Sequence, residues 1–116
     1  MIKTADDLIR DAQQHIQCVD ATTAKQLFDE TPDTMVVDVR EADSAEKSKL
    51  EVSTHISRGL IEMKLPKLCD NPDQLILTHC GGGGRASLAA YSLQQMGYTN
   101  VRAITAPYDE IKKIFG

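Results

Sequence analysis

Leu75-Ile76-Leu77-Thr78-His79-Cys80-Gly81-Gly82-Gly83-Gly84-Arg85-Ala86-Ser87 runs from an apolar stretch through one cysteine and four glycines into an arginine and a helical pattern. The apolar stretch has strand length, while Ala86, Ala89, Ala90 and Leu93 recur at helical spacing up to Met96, with Gly97 as a stop. Strand, glycine loop and helix follow in that order. Four glycines free the backbone to curl so that several N–H groups point at one anion, and Gly82 and Gly83 are the two expected to need positive φ. A cysteine held there lies near the positive end of the helix dipole and beside Arg85, and both favour the thiolate. Cys80 is therefore the candidate nucleophile, with Gly81, Gly82, Gly83, Gly84 and Arg85 as its anion-binding loop.

Outward from the loop, Met35–Val39 is a β-branched apolar run of the kind buried on both faces of a parallel sheet. Ile2, Ala5, Leu8, Ile9, Ala12 and Ile16 form the stripe of an amphipathic helix over Ile2–His15. The pattern continues with a strand over Ile16–Val19 and a helix capped at Thr22 or Thr23 that runs to Asp29. A weak helix covers Ala45–Leu50, a short strand is expected near Leu60-Ile61, and a helical turn at Pro66–Cys69 precedes the strand Gln74–Thr78. Asn100–Ile104 reads as the last strand and Pro107–Ile114 as the last helix, with proline suited to a first turn. Such alternation predicts a parallel sheet with helices on both faces and the site at the carboxyl ends of the strands. Cys80 stands at one such end and Asp38–Glu41 at another. The expected organisation is an N-terminal helical extension, 1–15, followed by one α/β domain, 16–116.

A chain of 116 residues suits one domain, and its net charge of −4, with no basic block, argues against nucleic acid or an anionic membrane as partner. The segment Met1–Gln17 carries Asp6, Asp7 and Asp11, so it reads as neither a signal peptide nor a membrane span, and the expected compartment is the cytoplasm. Three cysteines without a CxxC spacing are poor material for a disulfide framework, and Cys18 and Cys69 read as core thiols. The pairs His15/Cys18 and His79/Cys80 do not converge as four spaced ligands would, so no metal is expected. The glycine run lacks the Lys-Ser/Thr end of a P-loop, and no nucleotide cofactor is expected.

Asp38-Val39-Arg40-Glu41 after a strand, His55-Ile56 further on, and Cys80-x-x-Gly83-x-Arg85 before a helix together resemble a single rhodanese domain, the sulfurtransferase fold, over about Cys18–Ile114. The resemblance implies a three-layer α/β/α domain around a mostly parallel five-stranded sheet. It implies that Cys80 carries sulfane sulfur as a persulfide from thiosulfate or a protein persulfide to a thiol or cyanide. The alternative it leaves is a rhodanese-like carrier or sensor acting on a protein partner. The six-residue loop Cys80–Arg85 is similar to that of sulfur-transferring members, whereas related phosphatases and arsenate reductases have one residue more. Where the family commonly reads His-Ile-Pro-Gly-Ala, this chain has His55-Ile56-Ser57-Arg58-Gly59-Leu60, and Ala106-Pro107-Tyr108 replaces a glycine-aromatic stretch.

Asp38, Arg40, Glu41, His55 and Arg58 form the supporting set around the loop. Arg85 is expected to pair with Asp38 or Glu41 in preference to binding the donor directly. Arg40 and Arg58 are candidates for a positive pocket rim. His55 is read as a packing or hydrogen-bonding residue, since an ionised thiol needs no general base. His79 should face away from Cys80 because neighbouring strand residues alternate. The Ser87 hydroxyl is placed to bond the loop backbone.

Overall fold

The computed structural model describes all of residues 1–116. Five strands form one sheet: β1 (Gln17–Val19), β2 (Met35–Asp38), β3 (Ser53–His55), β4 (Ile76–His79) and β5 (Val101–Ile104). Their spatial order is β1-β5-β4-β2-β3, and all four pairings are parallel. Six α-helices surround it: α1 (Ala5–His15), α2 (Ala21–Glu30), α3 (Ala42–Lys47), α4 (Ile61–Leu68), α5 (Gly84–Met96) and α6 (Tyr108–Phe115). The expected α/β/α architecture and N-terminal helix are present.

Strand alternation divides the core in two. Val37, Ile76, Val101 and Ala103 face one side, where they pack with Ile61 and Leu65 of α4 and with Ala86, Ala89, Ala90 and Leu93 of α5. Val36, Leu77 and Ile104 face the other, against Ala21 and Ala24 of α2 and Ile111 of α6. The alanines of α5 keep the side-chain bulk between helix and sheet small, so this helix packs close against β4 and β5. The α1 helix covers the outer surface of α5.

Local signals shift several element boundaries. Thr4 and Asp7 form a reciprocal capping box, so α1 begins at Ala5 and Ile2 stays outside it. Asp20, not Thr22 or Thr23, caps α2 by accepting from the Thr23 N–H at 2.7 Å. No strand forms at Leu60-Ile61: a single 3-10 turn, Arg58–Leu60, leads into α4, which starts at Ile61 and carries Pro66 inside it. The third strand is instead the polar triplet Ser53–His55 at the sheet edge, where one side of the ladder faces solvent and no apolar pattern is needed. Cys18 is exposed on the edge strand β1, contrary to its expected core position, while Cys69 is buried.

At the carboxyl ends of β2 and β4 the face toward α6 is polar and buried. Arg40 grips Asp38 through two nitrogens, at 3.0 and 2.8 Å, and donates to the Ser48 carbonyl at 2.6 Å. Its guanidinium stacks 3.9 Å from the Tyr108 ring centre, and the Tyr108 hydroxyl meets Ser48 Oγ at 2.9 Å. Burial alone would raise the Asp38 carboxyl, but the hydrogen bonds from Arg40 outweigh it and hold the group below its ordinary value. Beside them His79 meets Ser53 Oγ through Nε2 at 2.7 Å, while its buried Nδ1 has no partner.

Burial, aided by the nearby Arg40 and opposed by Asp38, pushes His79 from 6.5 down to about 4. Between those values the unfolded chain holds the extra proton, so stability falls as pH drops through that window, by about 3 kcal/mol. Asp38, held low in the fold, adds its own loss only as pH falls below its ordinary 3.8. Urea unfolding from about pH 7 down to about pH 4.5 measures the His79 effect. His79→Gln flattens this slope; an unchanged slope in the variant would contradict the assignment.

Candidate active site

Cys80 follows the central strand β4 and points to the α5 side of the sheet, opposite to His79 as strand alternation requires. Its Sγ accepts the N–H of Gly83 at 3.1 Å and that of Ala86 at 3.3 Å. The loop therefore closes into a ring on the sulfur, at the N-terminus of a 13-residue helix. Both donors and the helix dipole place positive potential at Sγ. The side chain is only 1% exposed, whereas Gly81 and Gly82 lie open to solvent above it.

Backbone carbonyls of the same loop are tied down from outside. Gly81 O accepts the N–H of Tyr108 at 3.0 Å, so the start of α6 holds one limb. Gly83 O accepts both the N–H of Ser87 at 2.9 Å and its hydroxyl at 2.6 Å, as the sequence suggested for Ser87. The Thr78 hydroxyl, buried beneath the loop, donates to Ala86 O at 2.8 Å and fixes the first turn of α5 to β4.

The glycines are not equivalent. Gly83 alone among the four has a positive φ, +104°, and a Cβ there would stand 3.0 Å from the Thr105 backbone. Gly82, expected to share that conformation, has ordinary φ and open space around it. Nor do all four supply N–H groups to the sulfur, because only Gly83 does. Ala86 is the second donor, which the glycine pattern did not reveal; its position two residues into a helix, where N–H groups lack intrahelical partners, is the signal that marks it.

The arginines also differ from expectation. Arg85 forms no ion pair with Asp38 or Glu41: Arg40 occupies Asp38, and Glu41 is exposed at the start of α3. The Arg85 guanidinium instead reaches back over Gly81, its Nη2 3.5 Å from where a Cβ on that glycine would stand. This contact puts a cation at the loop mouth. Arg40 is not a rim residue, since it is 6% exposed and engaged with Asp38 and Tyr108. Arg58 is paired with Glu62 at 2.8 Å, and Glu62 also accepts from Ser92, so Arg58 is not a free rim charge. His55 bonds the Arg40 carbonyl at 2.7 Å, in the hydrogen-bonding role expected of it.

At the centre of this site a cysteine follows the central strand of a parallel sheet and accepts two backbone N–H groups of its own loop. The profile of the rhodanese-like domain matches residues 20–113, most of the chain, which belongs to the rhodanese family. Sequence comparison with curated proteins gives no match. Among solved structures, a protein of unknown function from Rhodopseudomonas palustris CGA009, described as a possible tyrosine phosphatase, is 23% identical. It covers 100% of this chain and 94% of its own, with a TM-score of 0.86. The polysulfide-sulfur transferase homodimer of Wolinella succinogenes is 25% identical over 90% of this chain and 78% of its own, with a TM-score of 0.74. An E. coli rhodanese with anions is 18% identical over 66% of this chain and 89% of its own, with a TM-score of 0.62.

The contrast between Gly82 and Gly83 is directly measurable. Gly83→Ala should cost about 1–3 kcal/mol of stability through its backbone conformation and displace the N–H on sulfur. Gly82→Ala should change stability by less than about 1 kcal/mol. Thermal melts of the two variants check this, and equal losses would remove the special role of Gly83.

Proposed function

We propose that this protein is a sulfurtransferase in which Cys80 carries sulfane sulfur as a persulfide. The observation that carries the reading is the pair of N–H groups aimed at Cys80 Sγ itself. The thiolate attacks the outer sulfur of a donor such as thiosulfate, forming a Cys80 S–S bond as the donor S–S bond breaks and sulfite departs with the electron pair. The acceptor, a thiolate or cyanide, then attacks the outer sulfur of the persulfide and returns Cys80 to the thiolate. Two displacements replace one transfer. The N–H groups of Gly84 and Arg85, first in α5 and without intrahelical acceptors, are the donors for the outer sulfur, and the Arg85 guanidinium attracts the anionic donor.

A phosphatase reading, suggested by the description of the Rhodopseudomonas palustris neighbour, fits less well. The loop Cys80–Arg85 has six residues, one fewer than that of the related phosphatases, and the shorter ring favours sulfur over a phosphoryl group.

One observation favours a protein as acceptor or donor. Two shallow grooves share His55; Lys47 and Lys49, with Glu46 beside them, line one and Lys64 and Lys67 the other, and none of the four lysines is ion-paired. His55 aligns with Asp38 and, through it, with His79, so this lysine edge begins two strand spacings, ~10 Å, from the residue before Cys80. On a chain of net charge −4, such an edge suits an acidic carrier protein.

Thiocyanate formation from thiosulfate and cyanide tests the main reading: wild type turns over and Cys80→Ala does not, with the fold retained. Retained turnover in Cys80→Ala would show a different nucleophile, and aryl phosphate hydrolysis without sulfur transfer would favour the phosphatase. For the lysine edge, Lys64→Glu/Lys67→Glu with a cysteine-containing acidic peptide as acceptor should lower kcat/KM about tenfold at low salt. The same variant with cyanide as acceptor should stay within about twofold, because no acidic surface is then recognised. Equal losses with both acceptors would remove the docking role.

A further inference from the structure

We propose that α1 belongs to the sulfur-transfer machinery, with Gln13 as a positioning residue that holds the Cys80 loop through Ser87. This inference rests on the sulfurtransferase reading and extends it to a helix outside the family match, which begins at residue 20. Contacts at three points along its length tie α1 to α5. The Ile9 side chain fills the space over Gly84, its Cδ1 2.8 Å from where a Cβ on that glycine would stand. Gln13 Nε2 lies 3.1 Å from Ser87 Oγ. At the far end the His15 ring stacks on Tyr91 at 4.8 Å, and Gln94 donates to the His15 carbonyl at 2.8 Å.

The direction of the middle contact gives it a role beyond packing. Ser87 has one hydroxyl proton, and it is directed at Gly83 O, 2.6 Å away. Ser87 Oγ therefore receives its bond from Gln13, and the Gln13 amide is the donor. The relay runs Gln13 N–H to Ser87 O, Ser87 O–H to Gly83 O, and Gly83 N–H to Cys80 Sγ. Its last member is the residue of positive φ, whose rotation would turn the N–H off the sulfur. Donation into the hydroxyl oxygen strengthens the bond that the hydroxyl makes to Gly83. The helix outside the family match thus fixes the orientation of an N–H group that bears on the nucleophile.

Donor polarity makes this testable with a side chain of the same size. Gln13→Glu sets a carboxylate against the lone pairs of Ser87 and removes the donor; Gln13→Lys keeps a donor. The assays are thiosulfate:cyanide kinetics, the melting temperature, and the rate of Cys80 alkylation by iodoacetamide near neutral pH, read by mass. Gln13→Glu should lower kcat and slow alkylation about fivefold each, with the KM for thiosulfate within about twofold and the melt nearly unchanged. Gln13→Lys should recover most of both rates. Wild-type rates in Gln13→Glu, or equal losses in Gln13→Glu and Gln13→Lys, would reduce α1 to a packing element and overturn the proposal. If wild type itself transfers no sulfur, the sulfurtransferase reading fails, while the alkylation contrast still decides whether Gln13 positions the loop.

Discussion

Everything at the functional end of this protein depends on the closure of six residues, Cys80–Arg85, into a ring whose N–H groups converge on one sulfur. A sulfur this far removed from water gains from donors, and Gly83 and Ala86 provide two of them at hydrogen-bond distance. That geometry uses one left-handed residue, which only Gly83 supplies, and a close approach to Thr105 that any side chain at 83 would crowd. It also demands a helix starting immediately after the loop, since Ala86 is free to donate only because it lies in a first turn.

The surrounding structure holds this ring from several sides. Thr78 anchors the first turn of α5 to the strand beneath it, Tyr108 holds Gly81, and Ser87 holds Gly83. Tyr108 also covers the buried Asp38–Arg40 pair, so the polar cluster on the α6 face and the sulfur site on the α5 face share a residue. Breaking one partner of such a buried pair leaves an uncompensated charge, so Asp38 and Arg40 hold each other in place beneath Tyr108. On the opposite flank α1 reaches the loop through Ile9 and Gln13.

Much of this was legible in the sequence because the signals are local. The apolar run before Cys80, the glycines after it and the alanine-spaced helix beyond them identify strand, loop and helix without tertiary information, and parallel topology follows from alternation. The misread elements lack such signals. The edge strand Ser53–His55 is polar, since only one neighbour and no covering layer constrain it, and Leu60-Ile61 is apolar because it enters a buried helix. Side-chain partnerships were least legible. Arg40 lies two residues from Asp38 on the same strand end and takes the carboxylate at short range, which leaves Arg85 free to fold over Gly81. The link from Gln13 to Ser87 spans 74 residues, and no local pattern announces it.

The most direct test of the account is the intact mass of the protein after thiosulfate treatment, with the modified residue located by proteolysis. The account predicts one added sulfur atom, on Cys80 alone, absent from Cys80→Ser and discharged by cyanide. An unmodified Cys80, or sulfur found on the exposed Cys18 instead, would contradict it.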